Sequence, residues 1–281
     1  MRILITGAKG MLGSDLVKVF NDNEYEVVPC DVDNFDITDI TATIKYIKAN
    51  KPHIILHPAA YTDVDGCEAN EDLAYRVNAL GARNVAVACR ELDIPMVYYS
   101  TDYIFDGTNS QGYKEFDQPN PLNVYGRTKL AGERFVQQIL DKFYIVRISW
   151  LCGHNGKNFI KTILKLSQKR KELTIVNDQT GSPTFTIDVS QATLQLIQKP
   201  IYGIYHITNS DYCTWYQFAK EICQYAGVNV NIKPITTKEF NRPALRPEYS
   251  ILNNYHWKLE GYRPLRSYKE ALEEYLIKEM V

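Results

Sequence analysis

A tyrosine and a lysine four residues apart, Tyr125 and Lys129, carry the most specific chemical signal in this chain of 281 residues. On a helix, residues four apart share one face, with roughly 5–6 Å between their Cβ atoms. An ammonium beside a phenol favours the phenolate and lowers the pKa of the tyrosine. The pair therefore predicts a side chain that exchanges a proton near neutral pH. By itself the spacing is common and usually marks a helix surface.

A second set of polar residues, Thr101 and Asp102, follows a predicted strand, Met96–Ser100. Open α/β sheets bind ligands outside the carboxyl ends of their strands. We therefore predict that Thr101 donates a hydrogen bond to a substrate carbonyl oxygen beside the Tyr125 phenol. Two donors on one oxygen suit the reduction of a ketone by a nicotinamide hydride, with Lys129 also reaching the nicotinamide ribose.

A glycine-rich turn, with Gly7, Gly10 and Gly13, connects the first predicted strand to the first helix. Glycines let a backbone turn tightly and approach a pyrophosphate at the positive amino terminus of a helix. A plain strand–helix turn is the alternative, because the spacing is GxxGxxG rather than GxGxxG. Asp31 follows the second strand, where a carboxylate accepts hydrogen bonds from an adenosine ribose. It would repel a 2′-phosphate, so taken alone it favours NAD over NADP.

Two further segments follow strands at positions suited to a dinucleotide. Asp36 and Ile37 could hold the adenine edge through a side-chain oxygen and an apolar contact. The small residues Ala59 and Ala60, with Tyr61, would let the backbone lie against the nicotinamide-side ribose and phosphates. Tight packing without a ligand is the competing interpretation of this segment.

Strand and helix patterns alternate through the first half of the chain. Predicted strands are Ile3–Thr6, Tyr25–Cys30, His53–His57, Met96–Ser100 and Tyr144–Ile148, and predicted helices are Met11–Phe20, Ile40–Lys48, Leu73–Arg90 and Tyr125–Leu140. This order predicts an α/β fold, a Rossmann-type doubly wound parallel sheet. We expect residues 1–150, with 171–200, to form the dinucleotide-binding domain. Residues 151–170 and 201–281 should form a smaller α/β carboxy-terminal substrate lobe.

Composition restricts the class of protein. The net charge is −1, which gives no electrostatic reason to expect a nucleic-acid or membrane partner. The six cysteines are scattered without C-x-x-C pairs, so neither a disulfide framework nor a zinc site is predicted. No run approaches the roughly 20 apolar residues of a membrane span, and no signal peptide is recognisable. We therefore expect a reduced, cytoplasmic enzyme.

Motifs along nearly the whole chain resemble the extended short-chain dehydrogenase/reductase family and, within it, the dTDP-4-dehydrorhamnose reductases. The matching segments are GAKGMLG, AAYTDVDGCEAN, STDYIFDG, PLNVYGRTKLAGE, RISWLCG, NFIKTIL, VNDQTGSPT, YHITN with Trp215-Tyr216, and RPEYSILN. The resemblance implies reduction of the C4 ketone of the nucleotide sugar dTDP-4-dehydro-L-rhamnose to dTDP-L-rhamnose.

The resemblance also implies roles for individual residues. Tyr125 would be the proton donor, Lys129 its partner and Thr101 the hydroxyl that polarises the ketone. The implied cofactor contacts are Gly7, Gly10, Met11, Leu12, Asp31, Asp36, Ile37, Ala59, Ala60, Tyr61, Tyr99, Tyr125 and Lys129. The implied substrate contacts are Thr101, Asp102, Trp150, Asn158 and Arg246. Arg246 could pair with the substrate diphosphate, although a surface arginine in a Pro-rich loop is equally compatible with its position.

Members of the family commonly use NADPH and often accept NADH, which softens the conflict with Asp31. Some members form a homodimer bridged by Mg²⁺ and acidic side chains. Asp15 matches one such position, but no convincing partner residues are found, so no metal ligands are predicted.

Two other classes of function are compatible with the same scaffold. A 4,6-dehydratase or 4-epimerase of sugar nucleotides is one, but dehydratases typically carry Thr-Asp-Glu at this strand end, and the third residue here is Tyr103. A non-catalytic regulatory subunit that only binds a dinucleotide is the other. Such a protein has no need to keep Thr101, Tyr125 and Lys129 together.

Overall fold

The computed structural model describes residues 1–280, which fold around one large parallel sheet and a smaller lobe. The strands are β1 (Arg2–Ile5), β2 (Glu26–Pro29), β3 (Ile54–His57), β4 (Met96–Thr101), β5 (Phe143–Ile148), β6 (Leu151–Cys152), β7 (Glu172–Val176), β8 (Thr180–Gly181), β9 (Thr184–Phe185), β10 (Gly203–His206), β11 (Cys213–Thr214), β12 (Asn231–Ile235) and β13 (Tyr249–Ser250). The α-helices are α1 (Met11–Asp22), α2 (Ile40–Asn50), α3 (Val64–Ala69), α4 (Glu71–Tyr75), α5 (Ala82–Leu92), α6 (Val124–Ile139), α7 (Phe159–Ser167), α8 (Thr186–Leu196), α9 (Trp215–Tyr225), α10 (Thr237–Phe240), α11 (Tyr255–Leu259) and α12 (Tyr268–Met280).

The large sheet has the strand order β10-β5-β4-β3-β1-β2, and all of its pairs are parallel. Its central strands read as apolar runs because helices cover both faces. One face packs against α1 and α8 through residues such as Phe20 and Val189, and the other against α2, α5 and α6 through residues such as Ile47 and Val136. The prediction of a doubly wound α/β fold is confirmed.

The order of the strands creates a switch point between β1 and β3. From β1 the chain continues outwards to β2, and then returns to the other side of β1 to form β3. The loops at the carboxyl ends of β1 and β3 therefore diverge, which opens a crevice at this edge of the sheet. The glycine turn and the Ala59–Ala60 segment face this crevice from opposite sides.

The smaller lobe is built from short sheets and helices around its own core. A three-stranded sheet has the order β11-β8-β13, β7 pairs with β12, and β6 pairs with β9. Its core contains Phe218 and Ile222 of α9 with Leu272 and Leu276 of α12. No helix among residues 1–280 has the length and apolarity needed to cross a membrane.

Several strands, β10 and β7 among them, pair outside the unit to which the expected domain division assigned them. β10, within the range 201–281 expected in the lobe, pairs with β5 at the edge of the large sheet. β7, within the range 171–200 expected in the dinucleotide-binding domain, pairs with β12 of the lobe. Helix α8 of the same range does pack against α1, as expected for a helix that returns to the sheet. Because these strand pairings join segments that are distant in the sequence, local sequence patterns do not reveal them.

The single helix predicted over Leu73–Arg90 is interrupted by a π-helical segment, Arg76–Gly81, between α4 and α5. Within it, Asn78 donates its side-chain amide to the Tyr61 carbonyl and accepts from the Tyr61 N–H, at 3.1 and 2.8 Å. A Cβ on Gly81 would lie 2.8 Å from Cδ1 of Ile37. The bulge thus ties this helix to two loops that border the crevice, a common location for π-segments.

Candidate active site

A cleft of about 730 Å³ lies at the carboxyl ends of β1, β3, β4 and β5. It brings together most of the site residues predicted from the sequence. Those that line it are Gly7, Gly10, Met11, Leu12, Asp31, Asp36, Ile37, Ala59, Ala60, Tyr99, Thr101, Asp102, Tyr125, Lys129 and Trp150. Tyr61, Asn158 and Arg246 are not part of its lining.

The glycine turn forms a cradle at the start of α1. Gly7 has φ +58, a left-handed conformation that L side chains rarely adopt, and a Cβ there would lie 2.8 Å from Cα of Ala59. Gly10 caps α1 without a side-chain hydrogen bond, so the first N–H groups of the helix receive no side-chain cap. These free donors and the bare backbone suit a diphosphate.

The third glycine allows the turn to close. A Cβ on Gly13 would lie 2.1 Å from the Gly7 carbonyl oxygen, whereas one on Gly10 would lie 3.1 Å from the same atom. We expect Gly13→Ala to push α1 away from the turn, lowering the free energy of unfolding by about 1–3 kcal/mol and weakening NADPH binding. Gly10→Ala should have a smaller effect on stability. Thermal melts and a fluorescence titration with NADPH measure both, and equal melting temperatures for the two variants would contradict the packing argument.

A buried hydroxyl in the cleft supports the same interpretation. Ser100 is buried, lines the cleft, and its Oγ has no hydrogen-bond partner among the described residues. Buried polar atoms in folded proteins are nearly always paired, so a polar ligand is the expected partner. With the glycine cradle, this atom shows that the residues present fit a dinucleotide.

At the far end of the cleft, the Asp31 carboxylate is bound by backbone groups. It accepts hydrogen bonds from the N–H groups of Lys9 and Val32, at 2.9 and 2.8 Å. These bonds attach the glycine turn to the loop that follows β2. The Lys9 ammonium lies nearby, paired with Asp33, so this end of the cleft presents a cation as well as carboxylates.

Small and apolar residues border the middle of the cleft. The close approach of the Gly7 and Ala59 backbones leaves no room for a side chain at position 7. Tyr99 is buried, and its hydroxyl shares a 2.9 Å hydrogen bond with Thr193 of α8. Tyr99 therefore joins the floor of the cleft to the outer helix.

Tyr125 lies in the first turn of α6. Asn123 caps this helix, and its side chain accepts a hydrogen bond from the Gly126 N–H. Burial raises the pKa of the Tyr125 phenol above its ordinary value, and the Asp102 carboxylate raises it further, while a hydrogen bond with Thr101 acts in the opposite direction. The sequence-based prediction of a lowered pKa was therefore wrong. The phenol holds its proton at neutral pH, so it is equipped to donate it.

Lys129, one turn further along α6, is only 2 % exposed. Burial lowers the pKa of its ammonium to about 7, and the charge of Glu133 offsets part of this effect. Its Nζ lies 4.1 Å from the centroid of the Tyr98 ring, as in a cation–π contact. Desolvation favours the neutral amine of Lys129, which weakens the effect that an exposed, fully charged lysine at this position would have on the pKa of Tyr125.

Thr101 ends β4 beside Tyr125. Its Oγ1 accepts from the Tyr103 N–H at 3.2 Å and donates to the Asp102 carboxylate at 2.9 Å. The Tyr103 ring lies 6.0 Å from that of Tyr125, nearly perpendicular to it. The strand end thus places Thr101, Tyr103 and Tyr125 around one region of the cleft.

Trp215 is a lining residue that the sequence analysis placed in a matching segment but not among the predicted site residues. Its ring stacks on that of Trp150, with centroids 3.4 Å apart and planes 6° apart. Trp150 has φ +45, a strained conformation for a residue with a side chain, and its Nε1 donates to Ser250 at 3.1 Å. The stack forms an aromatic wall where the lobe meets the large sheet. Its sequence signal was a Trp directly after a capping threonine, within one of the matching segments.

Three predicted contacts are not part of the lining of the cleft, and in two of them other groups already bind the polar atoms. Asn158 caps α7 by accepting from the Lys161 N–H at 2.9 Å, and its amide donates to the Gly153 carbonyl. Arg246 forms a two-pronged ion pair with Asp65, at 3.1 and 3.0 Å. Tyr61 packs beside Cys67 and Tyr125 in a small cluster under α6.

Asp15 lies on α1, away from the cleft. Its carboxylate accepts a hydrogen bond from Thr186 of α8. Among residues 1–280, no group of three or more His, Cys, Asp or Glu side chains is arranged to hold a metal ion. The homodimer stays a prediction.

Comparisons with known proteins identify the family of this chain. The RmlD substrate binding domain matches residues 1–281. A dTDP-4-dehydrorhamnose reductase of Bacillus anthracis, solved in complex with NADP, is 45 % identical, with a TM-score of 0.97 over 99 % of both chains. A dTDP-4-dehydrorhamnose reductase of Aggregatibacter actinomycetemcomitans is 40 % identical over 90 % of both chains. A dTDP-4-keto-6-deoxy-D-glucose reductase of Streptomyces niveus is 38 % identical over 97 % of this chain and 96 % of its own.

Proposed function

This chain belongs to the RmlD substrate binding domain family, and we propose that it reduces the C4 ketone of dTDP-4-dehydro-L-rhamnose to dTDP-L-rhamnose with NADPH. Family membership makes it an NAD(P)H-dependent oxidoreductase. Relatives named for this reaction match almost the full length of the chain, which supports the same substrate here.

One observation supports the proposal most directly. Thr101, Tyr125 and Lys129 line the same cleft as the glycine cradle, at the carboxyl ends of the strands. The cleft therefore has a dinucleotide-type end and an end with proton donors. A protein that only bound a dinucleotide would need the first end alone.

The roles of the side chains follow from their surroundings. When bound, the reduced dinucleotide supplies a hydride to the carbonyl carbon. Tyr125, whose pKa is raised by burial, donates its phenolic proton to the carbonyl oxygen as negative charge develops there. Thr101 donates a hydrogen bond to the same oxygen. Lys129 holds the cofactor ribose, and the Trp150–Trp215 stack provides an apolar wall for the sugar ring.

Tyr103 supports reduction over dehydration. It occupies the position where dehydratases typically carry a glutamate, and its ring packs edge-on against Tyr125. Burial raises the pKa of this phenol, so Tyr103 cannot act as the base that removes a proton from a sugar carbon. The Thr101–Asp102–Tyr103 run therefore has one carboxyl group, that of Asp102, where the Thr-Asp-Glu run of dehydratases has two.

The choice of NADPH rests on the Bacillus anthracis relative and on Lys9, with NADH as an alternative cofactor. Lys9 lines the adenosine end of the cleft beside Asp31, and its exposed ammonium is paired with Asp33. A 2′-phosphate bound at this end of the cleft could form an ion pair with the Lys9 ammonium. We expect Lys9→Gln to raise the KM for NADPH severalfold and to leave the KM for NADH nearly unchanged. Steady-state kinetics with both cofactors measure this, and an equal rise in both constants would remove Lys9 from the choice.

The function is tested by mixing the protein with NADPH and a panel of 4-keto sugar nucleotides and following the nicotinamide absorbance. Lasting, stoichiometric loss of NADPH with dTDP-4-dehydro-L-rhamnose supports the proposal. Faster turnover of dTDP-4-keto-6-deoxy-D-glucose would instead identify the compound named for the Streptomyces niveus relative as the preferred substrate. An epimerase would leave NADPH unconsumed, a dehydratase would act on a nucleotide sugar that carries no ketone, and a regulatory subunit would bind NADPH without turnover.

A further inference from the structure

Trp150 lies between β5 and β6, where the chain leaves the large sheet for the lobe. Its backbone has φ +45, a conformation that residues with a bulky side chain rarely adopt. Its ring faces that of Trp215 with centroids 3.4 Å apart and planes 6° apart. Aromatic pairs by themselves prefer offset or edge-to-face arrangements, with centroids about 4.5–7 Å apart. Both features are locally unfavourable, so the surrounding structure must hold Trp150 in place.

The three-stranded sheet of the lobe supplies that support, with one contact from each strand or from its immediate end. Trp215 directly follows β11 and stacks on the Trp150 ring. Ser250 of β13 accepts a hydrogen bond from Trp150 Nε1 at 3.1 Å. Gly181 of β8, the central strand, lies against the same ring, because a Cβ at this position would be 2.5 Å from Nε1 of Trp150. A side chain at position 181 would therefore displace the ring.

The pairing of the strands places these three contacts side by side. Gly181 is paired with Cys213 of β11 on one side and with Ser250 of β13 on the other. Helix α9, which begins at Trp215, has a capping box at its start, and the Trp215 ring also packs against Phe159 of α7, with centroids 4.5 Å apart. Neither Gly181 nor Ser250 is part of the lining of the cleft. Both can therefore influence a bound ligand through the ring that they hold.

Trp150 presents an apolar surface at the end of the cleft that carries the proton donors. Its neighbour Ser149 donates a hydrogen bond to Asp102 at 3.2 Å, which fixes this segment beside the end of β4. The one polar atom of the Trp150 side chain, Nε1, is already bound to Ser250. The ring therefore offers carbon atoms to a ligand, which suits the carbon–hydrogen groups of a sugar ring.

We propose that the three-stranded sheet of the lobe holds Trp150 against the sugar ring of the substrate, with Gly181, Ser250 and Trp215 as positioning residues. The inference rests on the proposed reductase function. A ring that is already in place when the substrate arrives saves the cost of ordering it on binding. Because the wall contacts the sugar both before and during hydride transfer, its loss should raise KM and leave kcat nearly unchanged.

Gly181→Ala is the first test, because it displaces the Trp150 ring without removing any group from the cleft. We expect the KM for dTDP-4-dehydro-L-rhamnose to rise roughly 3–10-fold, the loss of one aromatic contact. The kcat and the KM for NADPH should stay within about twofold of the parent values. Trp215→Leu, which removes the stacked ring, should show the same pattern. Tyr216→Ala changes the same turn of α9 outside the lining of the cleft, and this control should leave all three constants as they are.

A Trp150→Ala background separates positioning from direct contact with the substrate. If Gly181 and Trp215 act through the Trp150 ring, neither Gly181→Ala nor Trp215→Leu should raise the KM further once that ring is absent. The stacked pair also has a spectroscopic signature, since coupled indole rings give an exciton signal in circular dichroism. This signal should be lost in Trp215→Leu.

An unchanged KM for the sugar nucleotide in Gly181→Ala or in Trp215→Leu would overturn the proposal. Rises in KM that multiply in the double variants would also overturn it, because the residues would then act independently of Trp150. Thermal melts verify that each variant is folded, and Trp215→Leu with its double variant carries the test if Gly181→Ala does not fold. Failure of the parent protein to consume NADPH with the sugar nucleotide would instead refute the reductase function.

Discussion

Replacing Tyr125 by phenylalanine is expected to lower kcat by about 10²–10⁴-fold, the usual contribution of a general acid, while NADPH affinity stays nearly unchanged. The variant keeps the ring that packs against Tyr103 and the cluster under α6, so the cleft should keep its shape. Only the donated proton is lost. Steady-state kinetics and a fluorescence titration with NADPH measure the two quantities.

The neighbouring phenol supplies a matched control. Tyr103→Phe removes a hydroxyl group from the same part of the cleft, and we expect a much smaller loss of kcat because Tyr103 is not the proton donor. A Tyr125→Phe variant with undiminished kcat would exclude the phenol from the mechanism. Equal losses in both variants would point to a general disturbance of the cleft.

Replacing Lys129 by methionine is expected to have opposite effects on function and stability. Cofactor affinity and kcat should both fall. The same side chain is proposed to bind the cofactor ribose and, when charged, to stabilise the negative charge that Tyr125 carries after it has donated its proton. The cofactor-free protein should become more stable at neutral pH, by on the order of 1–4 kcal/mol, because methionine fills a similar volume without a buried charge. Such a trade-off is common where a site residue is held in an unfavourable environment.

The pH dependence gives this prediction a sign. The folded pKa of Lys129 is about 7, against 10.5 for the unperturbed group, so between these values the unfolded chain binds the extra proton. Below about pH 7 the buried ammonium of Lys129 lowers the free energy of unfolding of the parent protein by its full cost. The free energy of unfolding should therefore rise with pH across this window. Lys129→Met should lack this contribution.

Urea unfolding at about pH 6, 7, 8 and 9 measures the difference in unfolding free energy between the two proteins. The series begins below the pKa of Lys129 in the folded protein and extends into the range where the folded Lys129 is neutral. Lys45→Met, which changes an exposed lysine on α2, is the control and should leave the pH dependence as it is. A constant difference in unfolding free energy across the series would show that Lys129 is not the titrating group. Normal NADPH binding by the Lys129→Met protein would exclude the ribose contact.

Both predictions depend on the environment that the cleft creates for two ordinary side chains. Desolvation favours the neutral form of each, so the pKa of Tyr125 rises while that of Lys129 falls. A phenol that keeps its proton suits a reductase, whose donor must begin each turnover protonated.

The sequence by itself determined the scaffold and most of the lining of the cleft. Apolar runs such as Ile54–Leu56 predicted strands buried on both faces, and parallel strands place their carboxyl ends at one edge. The glycine turn, Thr101 and Tyr125 were therefore predicted to meet, and they do. Local spacing is sufficient here because each residue lies at the end of a strand or on the first turns of a helix.

Only the tertiary structure decided how the side chains titrate and which of them are already bound. Arg246 pairs with Asp65, 181 residues away in the chain, and Asn158 is occupied by the cap of α7. The Trp150–Trp215 stack joins two segments of the chain that local patterns cannot relate. The pKa of Tyr125 depends on how completely the phenol is removed from water, and segments distant in sequence bury it. Desolvation and the choice of hydrogen-bond partners are properties of the packed molecule. Residue spacing therefore predicted most of the residues that line the cleft but not their electrostatics.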